Sequence, residues 1–452
     1  MKGRKTTALF FALSDALALL VVFNIIACFR GVTAWDDPLF LPLILPAVFF
    51  VVAIYTIEGY NSQTDFISID YASQHIIATI GATIATLLAT FVIFPVGFSL
   101  HESRMVIGFG YLVLIPLTIG YRRMWHLRAG RERRERTVIF VGDRASCEDF
   151  TTEFKRMHGT QSLVCCHAGE RRPEDYPEVL PLREALEWIT AGTIEPEALV
   201  LREANPQLPT DISDALQRLY FSGVPVYTLE FFHEAYWRKV PRYRLNQIWL
   251  FQEGFQITRE PVFEHLKRIA DLLLAGFGLV LFSPLLLLAA LAILVDGGGP
   301  VLFSQTRIGR NREPFRMFKL RTMRPESSGD LYTQKGDARV TRIGGLLRAT
   351  RLDEVPQLWN VLRGDMSLIG PRAEWDRLVD RYEKEIPCYH FRHLVKPGIT
   401  GWAQVCYPYG ANMEDTMRKL EYDLYYIRHF SFRLDATIVL KTIHIMLFGK
   451  GR

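Results

Sequence analysis

Cysteine is scarce in this chain, and its spacing fits neither a metal site nor a disulfide framework. The 452 residues include six cysteines without a CxxC pair, and two of the six, Cys165 and Cys166, are adjacent. Zinc sites and small secreted domains show a regular cysteine spacing that is missing here. We therefore expect reduced thiols that are buried or face the cytoplasm.

A complete dinucleotide fingerprint is also missing. Gly142 ends the strand-like segment TVIFVG, but Asp143, Arg144 and Ala145 follow it in place of a GxGxxG pattern. The later glycines of that pattern let the backbone approach a pyrophosphate and let the helix pack closely. We therefore do not expect intact NAD binding, and we favour a scaffold or regulatory role for this segment.

Long apolar runs are what the sequence has instead. Four of them, residues 8–29, 38–57, 75–95 and 104–120, approach the ~20 apolar residues that a membrane-spanning helix needs. The first run follows a basic N-terminus, lacks a small-residue cleavage site and precedes further spans, so we interpret it as an uncleaved helix. We predict a four-helix transmembrane domain over residues 1–125.

Charges next to these runs predict their orientation. The stretch from Tyr121 to Arg136 is rich in arginine, and the positive-inside rule places such a stretch in the cytoplasm. A basic N-terminus on the same side agrees with four crossings. The loop at residues 58–74 contains no Lys or Arg and gives no support.

Residues 126–258 change to an α/β pattern. The segments TVIFVG, EALVL and VPVYTL are typical of buried strands, and polar helical stretches separate them. We predict a Rossmann-like cytoplasmic domain here.

A further apolar run, residues 269–295, contains Ser283 and Pro284 near its middle. One interpretation is a fifth spanning helix with a proline kink. Basic residues flank both ends, however, so both ends prefer the cytoplasm. We therefore favour a re-entrant hairpin over residues 267–296 that breaks at Ser283-Pro284, with the Ser283 hydroxyl helping to satisfy the freed backbone carbonyls.

The C-terminal part contains two consecutive carboxylates, Asp353 and Glu354, among several arginines. On a helix their side chains would point about a quarter-turn apart, so we expect different roles for them. Pro356 fits the first turn of a helix, at whose N-terminus backbone amides favour phosphate. An isolated pair would simply cap that helix, but the surrounding arginines favour a catalytic pair.

Several longer segments follow in order between about residue 300 and the C-terminus: VLFSQTRIG, FRMFKLRTM, LRATRLDEVPQLWNVLRGDMSLIGPR and VKPGITGWAQV. They resemble the bacterial polyprenyl-phosphate hexose-1-phosphate transferases, the phosphoglycosyl transferases that initiate exopolysaccharide, capsule or O-antigen synthesis. The similarity runs from about Lys267 to the C-terminus, and the upstream parts resemble the large subgroup of the family. It implies that residues 259–452 form an α-rich α+β monotopic catalytic domain.

The resemblance implies a reaction and a site. Asp353 resembles a nucleophile that attacks the sugar-linked phosphate of a UDP-hexose, releases UMP and leaves a phosphosugar on the enzyme. Glu354 resembles a ligand of Mg²⁺, the implied cofactor. Four basic residues resemble groups that bind the phosphates or the nucleotide: Lys319, Arg321, Arg348 and Arg372.

The sequence departs from the family at Ala373, where proline is common, so this turn lacks a rigid residue. Asp423 and Tyr426 also resemble family positions, although a plain structural role in their helix is equally consistent. The segment after Gly401 gives no basis for naming the hexose.

The implied acceptor is a polyprenyl phosphate, with undecaprenyl phosphate expected. The implied location is the bacterial inner membrane, where the protein contacts lipid and its active site faces the cytoplasm. A homodimer is compatible with this reading, and no nucleic-acid partner is expected.

Two other classes remain open. A nucleotide-sugar dehydratase or epimerase would need the missing GxGxxG pattern. An inactive scaffold or regulator of polysaccharide assembly is opposed by the intact LDEVPQLWN segment.

Overall fold

The computed structural model divides the chain into two compact units, Met1–Arg238 and Lys239–Arg452. The predicted division into three domains stays a prediction. The residues that the structure describes are 2–61, 64, 66–93, 104–134, 136–157, 161–167, 179–202, 210–241, 261–297, 299–324, 339–407 and 412–448.

The first unit begins with four apolar helices. They are α1 (Lys2–Phe29), α2 (Ile44–Thr56), α3 (Ile69–Leu88) and α4 (Arg104–Arg134). By length and composition α1, α3 and α4 can cross a membrane, whereas the apolar stretch Leu41–Thr56 is shorter. α3 begins six residues before the predicted run because Ser68 caps it, its hydroxyl accepting a hydrogen bond from the Tyr71 amide at 3.1 Å.

A buried ion pair joins the first and last of these helices. Both side chains, Asp15 of α1 and Arg122 of α4, are fully buried. The guanidinium donates to both carboxylate oxygens, at 2.9 and 2.5 Å, and the Tyr60 hydroxyl donates to Asp15 at 2.8 Å. Because the charges are paired and hydrogen-bonded, the helices can bury them together.

A parallel five-stranded sheet follows. Its strands are β1 (Arg136–Val141), β2 (Ser162–His167), β3 (Leu180–Pro181), β4 (Glu195–Leu201) and β5 (Val226–Thr228). The order β3-β2-β1-β4-β5 is that of a Rossmann-like sheet. The three predicted strands are β1, β4 and β5, and sequence analysis missed β2 and β3.

Helices cover this sheet on both faces, which explains why β1 is continuously apolar. The helices are α5 (Arg144–Arg156), α6 (Leu182–Thr190), α7 (Thr210–Ser222) and α8 (Leu229–Phe232). Along β1, Val138 and Phe140 belong to one core, whereas Ile139 and Val141 belong to the other. This alternation is the two-residue period of a strand. At the end of β1, the Asp143 side chain caps α5 by accepting from the Ser146 amide.

The second unit begins with the long helix α9 (Pro261–Gly297) and the antiparallel strands β6 (Leu302–Ile308) and β7 (Pro314–Leu320). The helices α10 (Arg342–Thr350) and α11 (Gln357–Arg363) come next. The remaining elements are β8 (Ser367–Ile369), α12 (Asp376–Glu385), β9 (Gly398–Thr400), α13 (Trp402–Cys406), α14 (Met413–Arg428) and α15 (Phe432–Phe448). Strands β8 and β9 pair in parallel.

Helix α9 continues through the predicted break as one helix of 37 residues. Pro284 has no amide hydrogen, so the carbonyl four residues earlier, that of Val280, loses its helical partner. The Ser283 hydroxyl donates to this carbonyl at 2.8 Å. This hydrogen bond is of the kind that the sequence analysis expects of Ser283, but a break at Ser283-Pro284 and the turning back of the chain stay predictions.

Polar contacts fix both ends of the apolar part of α9 within the second unit. Near the start, Asp271 accepts a hydrogen bond from the Leu368 amide at 3.1 Å. Near the end, Asp296 accepts one from the Ile343 amide at 3.4 Å. The segment between them is mostly exposed and apolar, as is typical of a surface that meets lipid.

The buried pair in the first unit makes a stability prediction. Arg122→Leu leaves Asp15 as an unpaired buried charge and is expected to lower the free energy of unfolding by about 3–5 kcal/mol. The double variant Asp15→Leu, Arg122→Leu removes both charges and should recover most of that loss. Thermal unfolding of the detergent-purified proteins measures this. A single variant as stable as the native protein would contradict the role of the pair.

Candidate active site

The two consecutive carboxylates lie on a short turn between helices. Asp353 and Glu354 belong to a 3₁₀ turn that connects α10 to α11. Arg351 joins α10 to this turn in the left-handed conformation, with φ of 58°, a backbone geometry uncommon for a residue other than glycine. As the sequence predicts, a helix begins directly after Pro356, so the carboxylates precede its first turn.

Three cations surround one oxygen of Glu354. Its Oε1 lies 3.2 Å from the Lys319 ammonium, 3.7 Å from the Arg372 guanidinium and 3.9 Å from that of Arg351. Burial alone would raise the pKa of Glu354, but the charges of these cations outweigh it and lower the pKa to about 2. Glu354 is therefore ionised at every physiological pH.

Asp353 has the opposite environment. Its side chain is buried, and Oδ1 has no hydrogen-bond partner within the described residues. Burial and the adjacent Glu354 charge raise the pKa of Asp353 above its usual value, although the charges of Lys319, Arg348 and Arg351 offset part of the effect. An ionised carboxylate with a free oxygen and little hydration is reactive toward an electrophile.

Two neighbouring elements hold the cations in place. Lys319 lies on β7, and the side chain of Asn360 binds the outer edge of that strand. The amide of Asn360 accepts from the Phe318 N–H at 3.1 Å and donates to the Arg316 carbonyl at 2.7 Å. One side-chain amide thus replaces a neighbouring strand and fixes β7 against α11.

Arg348 is held from the other side. Its Nε donates to the Thr322 hydroxyl at 2.9 Å. This contact needs α10 to lie directly on the backbone after β7, and Gly344 permits the approach, because an added Cβ would lie 2.1 Å from the Thr322 carbonyl oxygen. The small residue and the hydroxyl together direct Arg348 toward the carboxylate turn.

Arg372 projects from a loop that two glycines hold. The Gly370 amide donates to the Thr400 carbonyl, and the Gly398 amide donates to the Pro371 carbonyl, both at 2.9 Å. Where the family commonly has proline, the Ala373 carbonyl accepts from the Arg307 guanidinium at 3.2 Å. Long-range hydrogen bonds therefore hold this turn in the absence of the second proline.

The structure places two arginines near the site that sequence analysis did not assign to it, Arg307 and Arg392, and it shows the partner of Asp423. Arg307, predicted only as part of a basic flank, lies 3.8 Å from Glu374. Burial and the neighbouring charge of Arg372 lower the pKa of Arg307 to about 10. Asp423 binds Arg392 at 2.8 Å, and Arg392 in turn donates to the Arg372 carbonyl at 3.1 Å. No local sequence signal distinguishes Arg307 or Arg392, because their contacts join distant segments.

Two further predicted residues have identified neighbours. The Arg321 guanidinium packs against Gly299, where its Nη1 would lie 2.6 Å from an added Cβ. Tyr426 is buried, and its hydroxyl donates to Asp435 at 2.8 Å. This contact indicates a structural role for Tyr426.

Mg²⁺ fits the carboxylate pair only together with oxygens from a substrate. Among the residues that the structure describes, no group of three or more His, Cys, Asp or Glu side chains could hold a metal. Mg²⁺, however, is commonly held by one or two carboxylates with nucleotide phosphates and water completing its shell. The unpaired Oδ1 of Asp353 and the neighbouring Glu354 belong to this class of donor.

Comparison with known proteins finds similarity over most of the second unit. The sequence profile described as "Bacterial sugar transferase" matches residues 262–449, which include both carboxylates. A UDP-glucose:undecaprenyl-phosphate glucose-1-phosphate transferase of Caulobacter vibrioides is 46% identical over 185 residues, covering 40% of this chain and 69% of that protein. The exopolysaccharide production protein PSS of Rhizobium leguminosarum is 41% identical over 195 residues, covering 41% of this chain and 98% of that protein.

A longer match reaches beyond the catalytic unit. A UDP-N-acetylgalactosamine-undecaprenyl-phosphate N-acetylgalactosaminephosphotransferase of Aeromonas hydrophila is 41% identical over 262 residues, which is 58% of this chain. The chain spans 61% of the length of that relative, less than two thirds.

The pKa values of Asp353 and Glu354 shift in opposite directions, so removing one charge should affect stability differently from removing the other. The raised pKa of Asp353 means that its ionised form is disfavoured by folding, so Asp353→Asn should leave the free energy of unfolding unchanged or higher. The lowered pKa of Glu354 means that its charge stabilises the fold at neutral pH, an effect lost as the pH falls from 4.5 toward 2. Glu354→Gln should therefore lower the free energy of unfolding by about 3 kcal/mol at pH 7.

Thermal unfolding of the two purified variants at pH 7 compares these effects directly. The substitutions are matched, because each exchanges one carboxylate for its amide at adjacent positions. Equal destabilisation by both would show that the environments of Asp353 and Glu354 do not differ as described.

Proposed function

Because this chain belongs to the bacterial sugar transferase family, we propose that it transfers a hexose-1-phosphate from a UDP-sugar to a polyprenyl phosphate. Undecaprenyl phosphate is the expected acceptor, since the names of related proteins specify it. The observation that carries the proposal is the buried Asp353 carboxylate with an unpaired oxygen, next to a Glu354 that three cations hold ionised.

The proposed reaction has two displacements at one phosphorus. In the first, an oxygen of Asp353 bonds to the phosphorus that carries the sugar, and the bond from that phosphorus to the UMP oxygen breaks. UMP leaves, and a phosphosugar remains on Asp353 as an acyl phosphate. In the second, a phosphate oxygen of the acceptor bonds to the same phosphorus, and the carboxylate is released.

Positively charged side chains around the turn would offset the negative charge of the phosphates during this reaction. Lys319, Arg348 and Arg372 lie on three different elements around the turn, so they can contact different phosphate oxygens. Arginine forks suit such oxygens better than point charges do. Glu354, together with the donor diphosphate, would hold Mg²⁺, whose charge would neutralise the phosphate oxygens.

We further propose that α9 enters and leaves the membrane on the cytoplasmic face. Its apolar run, residues 269–295, is longer than the ~20 residues that one crossing needs. The hydrogen bonds of Asp271 and Asp296 support this geometry, because both ends bind the unit that carries the active site. UDP-sugars would then reach that site from the cytoplasmic side of the bacterial inner membrane.

Release of UMP tests the proposed reaction. Purified protein is incubated with a panel of UDP-sugars, Mg²⁺ and undecaprenyl phosphate. We expect UMP from at least one donor, with a loss of at least about 10³-fold in Asp353→Asn because an amide is not a nucleophile. As the pH is lowered, activity should begin to fall at a higher pH than it would with an ordinary aspartate, because burial raises the pKa of Asp353 and the protonated side chain is not a nucleophile. An Asp353→Asn variant with native activity would refute the assignment.

Cysteine labelling tests the topology of α9. In a background without the six native cysteines, Leu266→Cys and Glu313→Cys lie on either side of the apolar segment, at exposed positions. Asp36→Cys, in the exposed loop after α1, is the matched control. A membrane-impermeant thiol reagent should label only the control in intact cells, because the other two sites face the cytoplasm. Labelling of Glu313→Cys from outside would contradict the hairpin.

A further inference from the structure

One buried face of the catalytic turn continues into α11. Its buried residues recur at helical intervals: Asp353, Pro356, Gln357 and Asn360. Residues spaced in this way share one side of a helical segment. Asn360 fixes this side against β7, the strand that carries Lys319. Gln357 therefore lies between the nucleophile and the Asn360 contact, on the side that faces Lys319's strand.

Gln357 is almost completely buried, with 2% of its surface exposed, yet its Nε2 has no hydrogen-bond partner among the described residues. Burying an unpaired amide donor costs free energy, so native proteins rarely do so without a reason. One turn earlier, Asp353 Oδ1 is a buried acceptor that is also unpaired. An unpaired donor and an unpaired acceptor thus occur together on one face of the catalytic turn.

Asn360 provides a comparison within the same helix. It is fully buried, and its amide nitrogen donates both to the Arg316 carbonyl and to Asp365. A buried side-chain amide with a purely structural role is expected to be hydrogen-bonded within the protein in this way. Gln357 has the same chemical group on the same face, but its nitrogen is left for another partner.

We propose that the Gln357 side chain donates, through Nε2, to a non-bridging oxygen of the phosphoryl group that is transferred to Asp353. This assignment rests on the proposed function and adds a substrate-contacting residue to it. As the bond from Asp353 to phosphorus forms and the bond to UMP breaks, charge redistributes over the non-bridging oxygens. A fixed N–H donor at this place stabilises that charge without having to reorganise.

The test is a substitution that removes the side-chain amide of Gln357 and keeps a side chain of similar size. Gln357→Met removes both polar atoms and should slow UMP formation by about 10²-fold, the usual effect of losing one such donor. The loss should be in kcat, with KM for the UDP-sugar little changed, because the contact strengthens in the transition state. Gln357→Glu places a third carboxylate beside the phosphate and should be slower still.

Thermal unfolding distinguishes this role from a structural one. Since the unpaired nitrogen costs stability in the native protein, Gln357→Met should have an unchanged or higher Tm. Asn360→Leu, which removes paired groups, is the control and should have a lower Tm. The inference is overturned if Gln357→Met is within about threefold of native activity, or if its Tm falls as far as that of Asn360→Leu.

Native protein and Asp353→Asn are assayed in parallel. If the native protein releases no UMP from any UDP-sugar, the proposed function itself fails. If it releases UMP and Gln357→Met does so equally fast, the proposed function stands and only the role of Gln357 is wrong.

Discussion

Adjacent carboxylates repel each other and lose hydration when they are buried, so Asp353 and Glu354 can share one turn only because positive charge surrounds them. The cations converge on Glu354, whose pKa is lowered, whereas burial raises the pKa of Asp353. The two side chains therefore differ in chemistry although they are neighbours in sequence. Much of the surrounding architecture maintains this difference. Asn360 binds the edge of β7, Gly344 lets α10 pack closely on Thr322, and backbone hydrogen bonds hold the loop that carries Arg372.

The second unit exposes apolar helix surface in addition to the charged site, which suits the proposed reaction between a soluble donor and a lipid acceptor. The apolar part of α9 is exposed along most of its length, yet its two ends are hydrogen-bonded to the unit that contains the carboxylates. Helix α15 adds further exposed apolar residues, Val439, Ile443 and Leu447. A lipid acceptor and a nucleotide donor would then reach one site from opposite directions. The hydroxyl of Ser283 makes the proline in α9 tolerable in this setting, because lipid offers no donor to a freed carbonyl.

The sequence predicted those features that depend on local patterns. Apolar runs predicted the four apolar helices at the N-terminus, a short apolar segment predicted β1 as a buried strand, and the carboxylate pair was predicted to precede a helix start. It did not predict β2, of which only Cys166 is fully buried, or the start of α3, which a serine cap sets among polar residues. Arg307 and Asn360 were missed as site components because their roles arise from contacts with segments more than 40 residues away.

A covalent phosphosugar on Asp353 is the central claim of this account, and intact-peptide mass spectrometry tests it most directly. Native protein is mixed with its UDP-sugar and Mg²⁺ without a lipid acceptor, quenched in acid and digested. The account predicts that the mass of a hexose-phosphate appears on the peptide containing Asp353 and disappears when undecaprenyl phosphate is added. UMP release without any adduct on that peptide, at an early time when turnover is under way, would contradict it.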